Sequence, residues 1–416
     1  MAIKVGEVDL AQPIVPVRGT ARYESIRLLV RHRGRPLGWV SLDNRYGLLD
    51  ASREWIRDEI HSQLAAQLVG TTMGPNLEAA VPATALPSCS VVICTRDRAE
   101  LLEECLDAVL ELDYPDFEVV VVDNAPSDDA TQTVASRRTV RYTREDRPGL
   151  DWARNRGFAA SRGEIVAFVD DDARPDRGWL RAIAAAFADP EVMAVGGMVA
   201  PRELETRAQM LFELDLGGMT QSLTRRTIRA AHSSTRDLLW VSSFAVGTNM
   251  AYRRSVLDGV GGFDPALDVG TATGSGGDLE MCHRLVARGH TMVYEPAALV
   301  WHLHRRTLRG LERQLHANGL GFGSYLLTCA RNRTVSRLAI VRFALVDWLY
   351  GWILKRLWRP RGVPRRLAWA ELLGALRSPL ALFTARRRAR RLAQRTDTRA
   401  LEGGLRLAEG LAKRES

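Results

Sequence analysis

Three consecutive aspartates, Asp170, Asp171 and Asp172, follow a short apolar run at residues 165–169. The length of the run and its glycine and proline neighbours predict a buried strand, with the carboxylates at its carboxyl end. Adjacent carboxylates repel one another, and hard cations such as Mg²⁺ or Mn²⁺ prefer carboxylate oxygens. Because ligands of open parallel sheets bind at the carboxyl ends of strands, the triplet predicts a metal–diphosphate site. The alternative is a solvated acidic turn before a helix.

Three further polar segments occupy comparable positions. Thr95, Arg96 and Asp97 follow an apolar run at 90–94, and Asp123 and Asn124 follow another at 117–122. A third segment, 148–155, begins a helix, where free N–H groups and the helix dipole favour anions. A nucleotide can use all of them, because carboxylates accept from base or ribose hydroxyls and arginine or amide groups bind a diphosphate. The candidate contacts in the third segment are Gly149, Leu150, Arg154 and Asn155.

The elements around these segments alternate between strand and helix. Apolar runs at 90–94, 117–122, 140–142 and 165–169 predict strands, and helical spacing at 101–112, 131–138 and 151–161 predicts helices between them. This alternation is typical of βαβ units and predicts an α/β fold, with a mostly parallel sheet flanked by helices. The pattern loosens after residue 201, as is common where an acceptor-binding half follows a nucleotide-binding half.

Eight short blocks of this sequence occur in the same order as in a known family of proteins. They are 91–98, 121–125, 149–157, 168–172, 247–254, 261–264, 277–280 and 300–305. Together they resemble the family 2 glycosyltransferases, and the resemblance extends across residues 89–310. It implies a GT-A fold, a nucleotide-sugar donor, a glycan or lipid-linked acceptor, a Mg²⁺ or Mn²⁺ cofactor and transfer with inversion. It also implies a place in cell-envelope polysaccharide synthesis.

The resemblance implies roles for individual residues of the donor site. The carboxylates that follow the first two strands would contact the base of a nucleotide sugar, and Asp170 would reach the ribose or the sugar. Asp172 would bind the metal that neutralises the leaving diphosphate. An imidazole would join it, with His302 as the first choice and His304 as the second. The alternative for the two histidines is a strand-end pair bonded to solvent or backbone.

Asp278 is the residue that the resemblance assigns as catalytic base. The family presents an acidic pair here and another acid after one residue, whereas this chain has Gly277, then Asp278 and Glu280. Asp278 would take the proton from an acceptor hydroxyl as that oxygen attacks the anomeric carbon. The glycine-rich segment 270–277 predicts a mobile loop that closes on substrate. The alternatives are two exposed acids in a first helical turn and, for the candidate sugar or acceptor contact Asn249, a structural turn.

A small N-terminal unit and a basic C-terminal tail lie outside the resemblance. Residues 1–70 predict a β-hairpin, with strands at 25–30 and 37–42, followed by a helix. Three roles are considered for this unit, which are docking to a partner, handling of the acceptor, and packing against the rest of the protein. Residues 71–88 contain three prolines and predict a linker. The transferase domain is then predicted at 89–330 and a basic amphipathic helical tail at 331–416.

The tail holds all of the net positive charge of the chain. It has 21 Lys and Arg against 6 Asp and Glu, whereas the whole chain has a net charge of +9. Apolar residues at helical spacing, including Trp348 and Trp352, adjoin these basic residues and predict a membrane-surface element across 338–391. The alternative is a helix packed on the catalytic body. Nucleic acid is not expected as a partner, because the tail lacks an interleaved aromatic and basic surface.

Cysteine usage and hydropathy predict where the protein acts. The five cysteines have no metal-ligand spacing, which predicts buried thiols in a reducing compartment. We expect neither a signal peptide nor a membrane span, so the predicted location is cytoplasmic, peripheral on the inner face of the membrane. Two other functions compete with sugar transfer. A nucleotidyltransferase would need a glycine- and lysine-rich loop after the first strand, and a non-catalytic glycan-binding or scaffold protein would keep only the fold.

Overall fold

The structure is a computed structural model, which describes residues 2–47, 50–70, 86–219, 222–358 and 362–412 of the 416-residue chain. Most of the predicted linker, residues 71–85, lies outside the described residues. The described residues form an N-terminal unit, a central sheet with helices on both faces, and a helical C-terminal region.

The described part of the N-terminal unit is a small sheet covered by a helix. Strands β1 (Ile3–Asp9), β3 (Ser25–His32) and β4 (Arg35–Asp43) lie side by side in that order, and β2 (Val17–Arg18) pairs with β5 (Asp50–Ala51). β3 and β4 form the predicted hairpin, whereas the sequence pattern does not predict β1, which runs parallel to β3. Helix α1 (Arg53–Gly70) packs Ile56, Ile60 and Leu64 on the sheet, at the spacing of one helix face.

Within the described residues, nine strands form the central sheet. They are β6 (Cys89–Thr95), β7 (Phe117–Asn124), β8 (Arg141–Glu145), β9 (Ile165–Asp170), β10 (Ala173–Pro175), β11 (Val192–Pro201), β12 (Arg226–Ile228), β13 (Asn249–Arg253) and β14 (Thr291–His302). Their order is β10-β14-β11-β13-β9-β6-β7-β8, with β12 paired to β14. β9, β6, β7 and β8 are parallel, as are β11 and β14, while β13 runs antiparallel between β9 and β11. The predicted mostly parallel sheet is therefore confirmed.

Helices cover both faces of this sheet. α2 (Ala99–Leu110) and α5 (Trp179–Ala186) pack on one face, and α4 (Leu150–Ala160) and α9 (Gly277–Ala287) pack on the other. The other helices of the region are α3 (Ala130–Ser136), α6 (Arg207–Met210), α7 (Thr235–Leu239), α8 (Arg254–Val260) and α10 (Leu308–Asn332). A π-helical turn, Leu211–Asp215, continues α6, and short 3₁₀ turns lie at Ala230–His232 and Val241–Ser243.

The N-terminal unit packs against the edge of the sheet formed by β10 and β14. Arg31 Nη1 donates to Asp176 Oδ2 at 2.6 Å, and the rings of Trp39 and Trp301 meet edge to face at 6.5 Å. Leu29, on β3, belongs to the same buried cluster as the residues of α4 and α9. These contacts favour the packing role among those considered for this unit.

The C-terminal region is helical and packs against α10. It consists of α11 (Arg337–Arg342), a π-helical segment at Phe343–Leu354, α12 (Lys355–Trp358) and α13 (Arg365–Ala412). α10 and α13 approach so closely that a Cβ on Gly319 would lie 1.9 Å from the carbonyl oxygen of Glu371. In the described part of the chain, no helix combines the length and the apolarity that crossing a lipid bilayer requires.

Candidate active site

The aspartate triplet lies at the carboxyl end of β9, beside the end of β6. Asp171 Oδ2 accepts from Thr95 Oγ1 at 2.7 Å, and Asp171 Oδ1 accepts from Arg98 Nη1 at 2.9 Å. The neighbouring Asp170 Oδ2 accepts from Thr248 Oγ1 at 2.6 Å. Asp171 is 4% exposed and Asp172 is 7% exposed, which is incompatible with a solvated acidic turn.

Asp172 faces a histidine and two arginines. The pairing of β10 with β14 sets Ala173 opposite His302, and His302 Nε2 lies 3.3 Å from Asp172 Oδ1. The other oxygen, Oδ2, lies 3.3 Å from Arg98 Nη1 and 3.8 Å from Arg305 Nη1. Burial acts to raise the pKa of Asp172, but His302 and the two guanidinium groups outweigh it and hold that pKa below its usual value. Asp172 is therefore ionised.

A hydrogen-bonded chain runs from His302 to Glu213 on the π-helical turn. The Nδ1 atoms of His302 and His304 are 2.9 Å apart, and His304 Nε2 lies 3.0 Å from Glu213 Oε2. Burial lowers the pKa of His304, so its ring is neutral at pH 7. A neutral ring that donates from Nε2 to the carboxylate accepts at Nδ1. His302 therefore donates from its own Nδ1, and its Nε2 lies 3.3 Å from Asp172 Oδ1.

The facing pair of Asp172 and His302 has the donor atoms of a metal site. A carboxylate oxygen suits Mg²⁺ or Mn²⁺, and an imidazole nitrogen is a common metal ligand. Ligands at right angles on an ion with bonds of about 2.1 Å lie about 3 Å apart, close to the observed separation. Among the residues that the structure describes, no three His, Cys, Asp or Glu side chains surround a common metal position. His304 uses both ring nitrogens on protein partners, so any further ligands would come from a bound molecule or water.

The ends of β6 and β7 form the adjacent part of the site. Asp97 adopts a left-handed conformation (φ 54°), and its Oδ1 accepts from the backbone N–H of Ser127 at 2.8 Å. Asp123 is buried, and its Oδ2 accepts from Tyr142 Oη at 2.9 Å, while its Oδ1 is buried without a hydrogen-bond partner. Burial raises the pKa of Asp123. Asn124 Oδ1 accepts from the Gly149 N–H at 2.9 Å and so fixes the turn that leads into α4.

Arg154 of α4 holds together a buried cluster of carboxylates. Its Nη1 donates to Asp151 Oδ1 at 3.0 Å and to Asp268 Oδ2 at 2.6 Å. The side chain of Arg154 is 4% exposed, and those of Asp151 and Asp268 are 0% and 6% exposed. The cluster ties α4 to the residues directly before the glycine-rich segment 270–277, where the Val269 carbonyl accepts from the Leu150 N–H at 2.9 Å. The loop predicted to be mobile is thus anchored at its start in this structure.

Asp278 lies in the first turn of α9, beside this cluster. Its Oδ2 accepts from the Gly247 N–H at 2.6 Å, and its Oδ1 accepts from the Leu279 N–H at 2.9 Å. Burial, together with the charge of Asp268, raises the pKa of Asp278 to about 6, although Arg154 opposes the change. A carboxyl group with this pKa is ionised at neutral pH and is more basic than an ordinary aspartate.

Several other candidate residues have structural partners. The side chain of Asn249 is bonded inside the sheet to Met198, Ala298 and Trp179, which favours the structural alternative for it. Asn155 bridges both backbone groups of Phe263. Three more candidates complete the set, with Glu280 paired to Arg284 at 3.0 Å, Gly277 at the start of α9, and Arg96 exposed beside Asp97.

The sequence reasoning missed several polar groups that contact the candidate residues. Arg98 lies in the sequence block 91–98 and directly after Asp97, so its proximity to the site could be expected from the sequence. Two others, Asp151 and Thr248, also lie inside sequence blocks of the resemblance, whereas the rest come from elsewhere in the chain and no local pattern singles them out. Apart from Arg98, the groups belong to Tyr142, Asp151, Glu213, Thr248 and Asp268.

Comparison with known sequences finds a family match for the part of the chain that contains the aspartate triplet. Residues 90–261 match the sequence family described as "Glycosyl transferase family 2". The resemblance inferred from the sequence blocks is thereby confirmed, and the family 2 region contains β6 to β9 with the aspartate triplet.

Curated relatives of the chain are named glycosyltransferases. It is 31% identical over 277 residues to a "Pre-mycofactocin glycosyltransferase" of Mycobacterium tuberculosis, a match that covers 63% of this chain and 52% of the relative. It is 27% identical over 263 residues to "Glycosyltransferase AglE" of Haloferax volcanii, covering 61% of this chain and 80% of the relative. The chain thus spans about half the length of the first of these relatives.

A solved structure overlaps the chain at low similarity. It is a mannosyltransferase, PcManGT from Pyrobaculum calidifontis, in complex with GDP-Man and Mn²⁺. The sequence identity is 22%, the TM-score is 0.45, and the overlap covers 84% of this chain and 89% of that chain.

Proposed function

We propose that the protein is a metal-dependent, inverting glycosyltransferase that moves a sugar from a nucleotide-diphosphate sugar to an acceptor hydroxyl. The observation that carries this proposal is the segment Gly247-Thr248, which contacts both halves of the site. The Gly247 N–H donates to Asp278 Oδ2 at 2.6 Å, and Thr248 Oγ1 donates to Asp170 Oδ2 at 2.6 Å. A basic carboxyl group and an acidic triplet therefore lie side by side, as a base and a diphosphate site must in this reaction.

The nucleotide base is assigned to the ends of β6 and β7. The buried Oδ1 of Asp123 lacks a hydrogen-bond partner, and leaving such an acceptor unpaired costs about 1–3 kcal/mol. An N–H group of a nucleotide base would supply the missing donor. Asp97 lies at the adjacent strand end and is assigned to the same nucleotide. These two contacts support a nucleotide-sugar donor.

The diphosphate is assigned to the end of β9, where Asp172 and His302 would hold Mg²⁺ or Mn²⁺. That cation would neutralise negative charge on the leaving diphosphate. The His304–Glu213 pair supports this assignment, because it fixes the His302 ring with Nε2 directed at Asp172. Orientation of a ligand histidine by a second group is the usual arrangement in metal sites.

Asp278 acts as the base in this mechanism. It takes the proton of the acceptor hydroxyl while that oxygen forms a bond to the anomeric carbon. The bond from that carbon to the diphosphate oxygen breaks, and its electron pair leaves with the diphosphate. Because the acceptor attacks from the opposite face, the anomeric configuration inverts. General-base assistance of this kind contributes about 10²–10⁴ in rate.

Thermal unfolding with Mn²⁺ and each of UDP, GDP, dTDP and CDP tests the donor site. We expect one nucleotide to raise the melting temperature only when Mn²⁺ is present. At a nucleotide concentration of about one hundred times its dissociation constant, the stabilisation is about 2.7 kcal/mol. Asp172→Asn is expected to abolish the metal-dependent part, because it removes the ionised ligand. Asp128→Asn, on an exposed aspartate at the start of α3, is the matched control.

Glu213→Gln separates the metal site from general damage to the fold. A neutral amide no longer fixes the proton of His304 on Nε2, so we expect the Mn²⁺ concentration for half-maximal stabilisation to rise about 10–100-fold. A metal-dependent rise in melting temperature that persists in both variants would show that the metal does not bind at Asp172. The absence of a shift with every nucleotide would favour the non-catalytic alternative.

The acceptor side of the proposal includes a lipid surface bound by the C-terminal region. On α13, exposed apolar residues recur at spacings of four and three and so share one helix face. They are Trp369, Leu373, Leu376, Leu380 and Phe383, which are 45–71% exposed. Exposed arginines, including Arg377, Arg387 and Arg388, lie on the same helix. An apolar face with basic neighbours is the pattern of helices that lie in a membrane surface.

Part of the predicted membrane element faces the protein instead. Trp348 is 8% exposed, and Trp352 contacts the ring of Trp240 at 6.2 Å, so both pack inward. Leu338 and Val341, at 80% and 52%, are exposed. The region thus combines both interpretations, with some apolar residues packed on the body and others free to contact lipid. A surface location of this kind would suit a lipid-linked acceptor.

Sedimentation with lipid vesicles tests this surface. We expect the protein to bind vesicles of phosphatidylglycerol and phosphatidylcholine, and not vesicles of phosphatidylcholine alone. The double variant Arg387→Gln/Arg388→Gln is expected to weaken binding by about 2 kcal/mol, or about 30-fold, because each charge contributes about 1 kcal/mol. Leu376→Glu/Leu380→Glu is expected to abolish binding, and Val15→Glu, on an exposed residue of the N-terminal unit, is the control. Equal binding by all four proteins would contradict the assignment.

A further inference from the structure

The start of α9 and the start of α4 compete for one small volume. A Cβ built on Gly277 would lie 1.9 Å from Asp151 Oδ2 and 2.6 Å from its carboxyl carbon. No side chain at position 277 can coexist with Asp151 in this arrangement, because real Cβ atoms do not approach other atoms so closely. The carboxyl group that enters this volume therefore comes from α4 and not from α9.

The Asp151 carboxyl group is held firmly and has spare hydrogen-bonding capacity. The residue is fully buried, and its Oδ1 accepts from Arg154 Nη1 at 3.0 Å. Its Oδ2 is buried without a partner. A buried acceptor without a partner destabilises the fold, so its presence calls for a functional explanation.

The carboxyl group of Asp151 controls where the Arg154 guanidinium points. Nη1 donates to Asp151 and Asp268, while Nη2 lies beside Gly247. A Cβ built on Gly247 would lie 2.3 Å from Nη2. The same Cβ would lie 3.3 Å from Asp278 Oδ2, so the guanidinium stands next to the proposed base without a hydrogen bond to it. Removing one of its two anchors would allow Arg154 to turn towards Asp278.

We propose that Asp151 supplies, from α4, the carboxyl group that the acidic pair lacks at position 277, and that it is a positioning residue for Asp278. It keeps the Arg154 guanidinium bonded to Asp151 and Asp268, so that the base is not neutralised by a direct ion pair. This inference rests on the proposed function, since it concerns the same base. It accounts for the glycine at position 277, because a side chain there would displace Asp151.

The ionisable groups around Asp278 set the sign of the expected effect. Asp278 faces Asp151 and Arg154 of α4 and Asp268, directly before the glycine-rich segment, and it also influences Tyr252 of β13 and Cys282 of its own helix. The phenol and the thiol have raised pKa values because of burial and are neutral. Loss of the Asp151 carboxyl group removes a like charge or frees a cation, and both lower the pKa of Asp278.

The test compares two double variants that differ only by one carboxyl group. Asp151→Ala/Gly277→Asp moves the carboxyl group from α4 to α9, and Asp151→Ala/Gly277→Ala removes it. Gly277 does not have a left-handed backbone conformation, so its backbone accepts either side chain once Asp151 is truncated. The single variants Asp151→Ala and Gly277→Ala complete the set, with Glu100→Ala, an exposed acid in the first turn of α2, as control.

Transferase kinetics across pH are the readout, with thermal unfolding to verify that each variant folds. We expect Asp151→Ala and Gly277→Ala each to lower kcat/KM by about 10²-fold, because the base is no longer positioned. The acid limb of the pH profile, where kcat/KM rises as Asp278 ionises, should move to lower pH in both variants. The transposed carboxyl group should restore most of the rate and return the acid limb towards its original position, whereas the double alanine variant should restore neither.

Equal rates and equal acid limbs in the two folded double variants would overturn the inference, as would an Asp151→Ala protein that matches the wild type. If Asp151→Ala alone does not fold, the pair of double variants still decides, since they differ only at position 277. A wild-type protein without turnover on any nucleotide sugar would instead contradict the proposed function. The two failures are therefore distinguishable.

Discussion

Replacement of Asp278 by asparagine is expected to lower kcat by about 10²–10⁴-fold, the contribution of a general base. The amide keeps the shape of the side chain and accepts from the Leu279 N–H, but its NH2 group cannot accept from the Gly247 N–H. The nucleotide is assigned to Asp97, Asp123 and Asp172, so binding of the donor nucleotide should be retained. Turnover of nucleotide sugar with a saturating acceptor measures the rate, and nucleotide-dependent thermal stabilisation measures binding. Loss of turnover with intact nucleotide binding would assign the chemistry to this carboxyl group.

The pH profile of the unmodified enzyme gives an independent check on the same residue. Because the pKa of Asp278 is raised to about 6, chiefly by burial, the fraction of ionised base increases as pH rises through that value. We therefore expect kcat/KM to increase up to about pH 6 and to level off above it. Asp278→Asn should abolish this limb.

Glu100→Gln is the matched control for the alternative interpretation of Asp278. Glu100 is an exposed acid in the first turn of α2, and its interaction with the helix dipole is worth about 0.3–1 kcal/mol. If Asp278 were only a first-turn acid, its replacement would resemble that of Glu100, with a small change in stability and full activity. That result would contradict the role of Asp278 as base.

The positions of the triplet and of Asp278 at the ends of elements were predictable because each adjoins a local sequence pattern, whereas the role of Asp278 was implied by the family resemblance. The triplet ends an apolar run that forms β9, and Asp278 begins the helical spacing that forms α9. Strand–helix alternation likewise predicted the parallel half of the sheet. In both cases the residues that carry the signal lie within a few positions of one another, so periodicity and turn chemistry suffice.

The partners of these residues were not predictable, because they meet only through the fold. His302 and His304 are two positions apart and share a strand-end pattern, so their spacing does not rank them, and the preference for His302 came from the family resemblance. They differ in their contact with Glu213, which bonds His304. Glu213 lies on a π-helical turn that the sequence periodicity does not predict. The contact between Thr248 and Asp170 was also not predictable from local sequence. It depends on the antiparallel pairing of β13 with β9, which joins segments that are far apart in the chain.

The charge cluster around Arg154 was missed for the same physical reason. In the sequence, Arg154 is one of several basic residues near a helix start. In the fold it meets Asp268, which lies 114 positions away, directly before the glycine-rich segment. Only the folded chain reveals that the two charges are buried together, and burial is what makes their interaction strong.

Arg154→Met is expected to lower the free energy of unfolding by about 3–5 kcal/mol, because it leaves buried carboxylates without their cation. Methionine retains much of the volume of the side chain, so the effect isolates the lost charge. Urea unfolding at neutral pH measures it. Arg156→Met is the matched control: Arg156 lies on the same helix, is exposed, and donates to Thr143 Oγ1 at 2.9 Å, so its replacement should change stability by less than about 0.5 kcal/mol.

The destabilisation by Arg154→Met should also depend on pH, with a definite sign. Without the guanidinium, the pKa values of Asp151 and Asp278, which burial already raises, would rise further in the folded state. A carboxyl group whose folded-state pKa exceeds its unfolded value binds protons more tightly when folded, so its contribution to stability falls as pH rises. The difference between variant and wild type should therefore be larger at about pH 8 than at about pH 5. A difference that is constant with pH would mean that lost packing, and not uncompensated charge, causes the destabilisation.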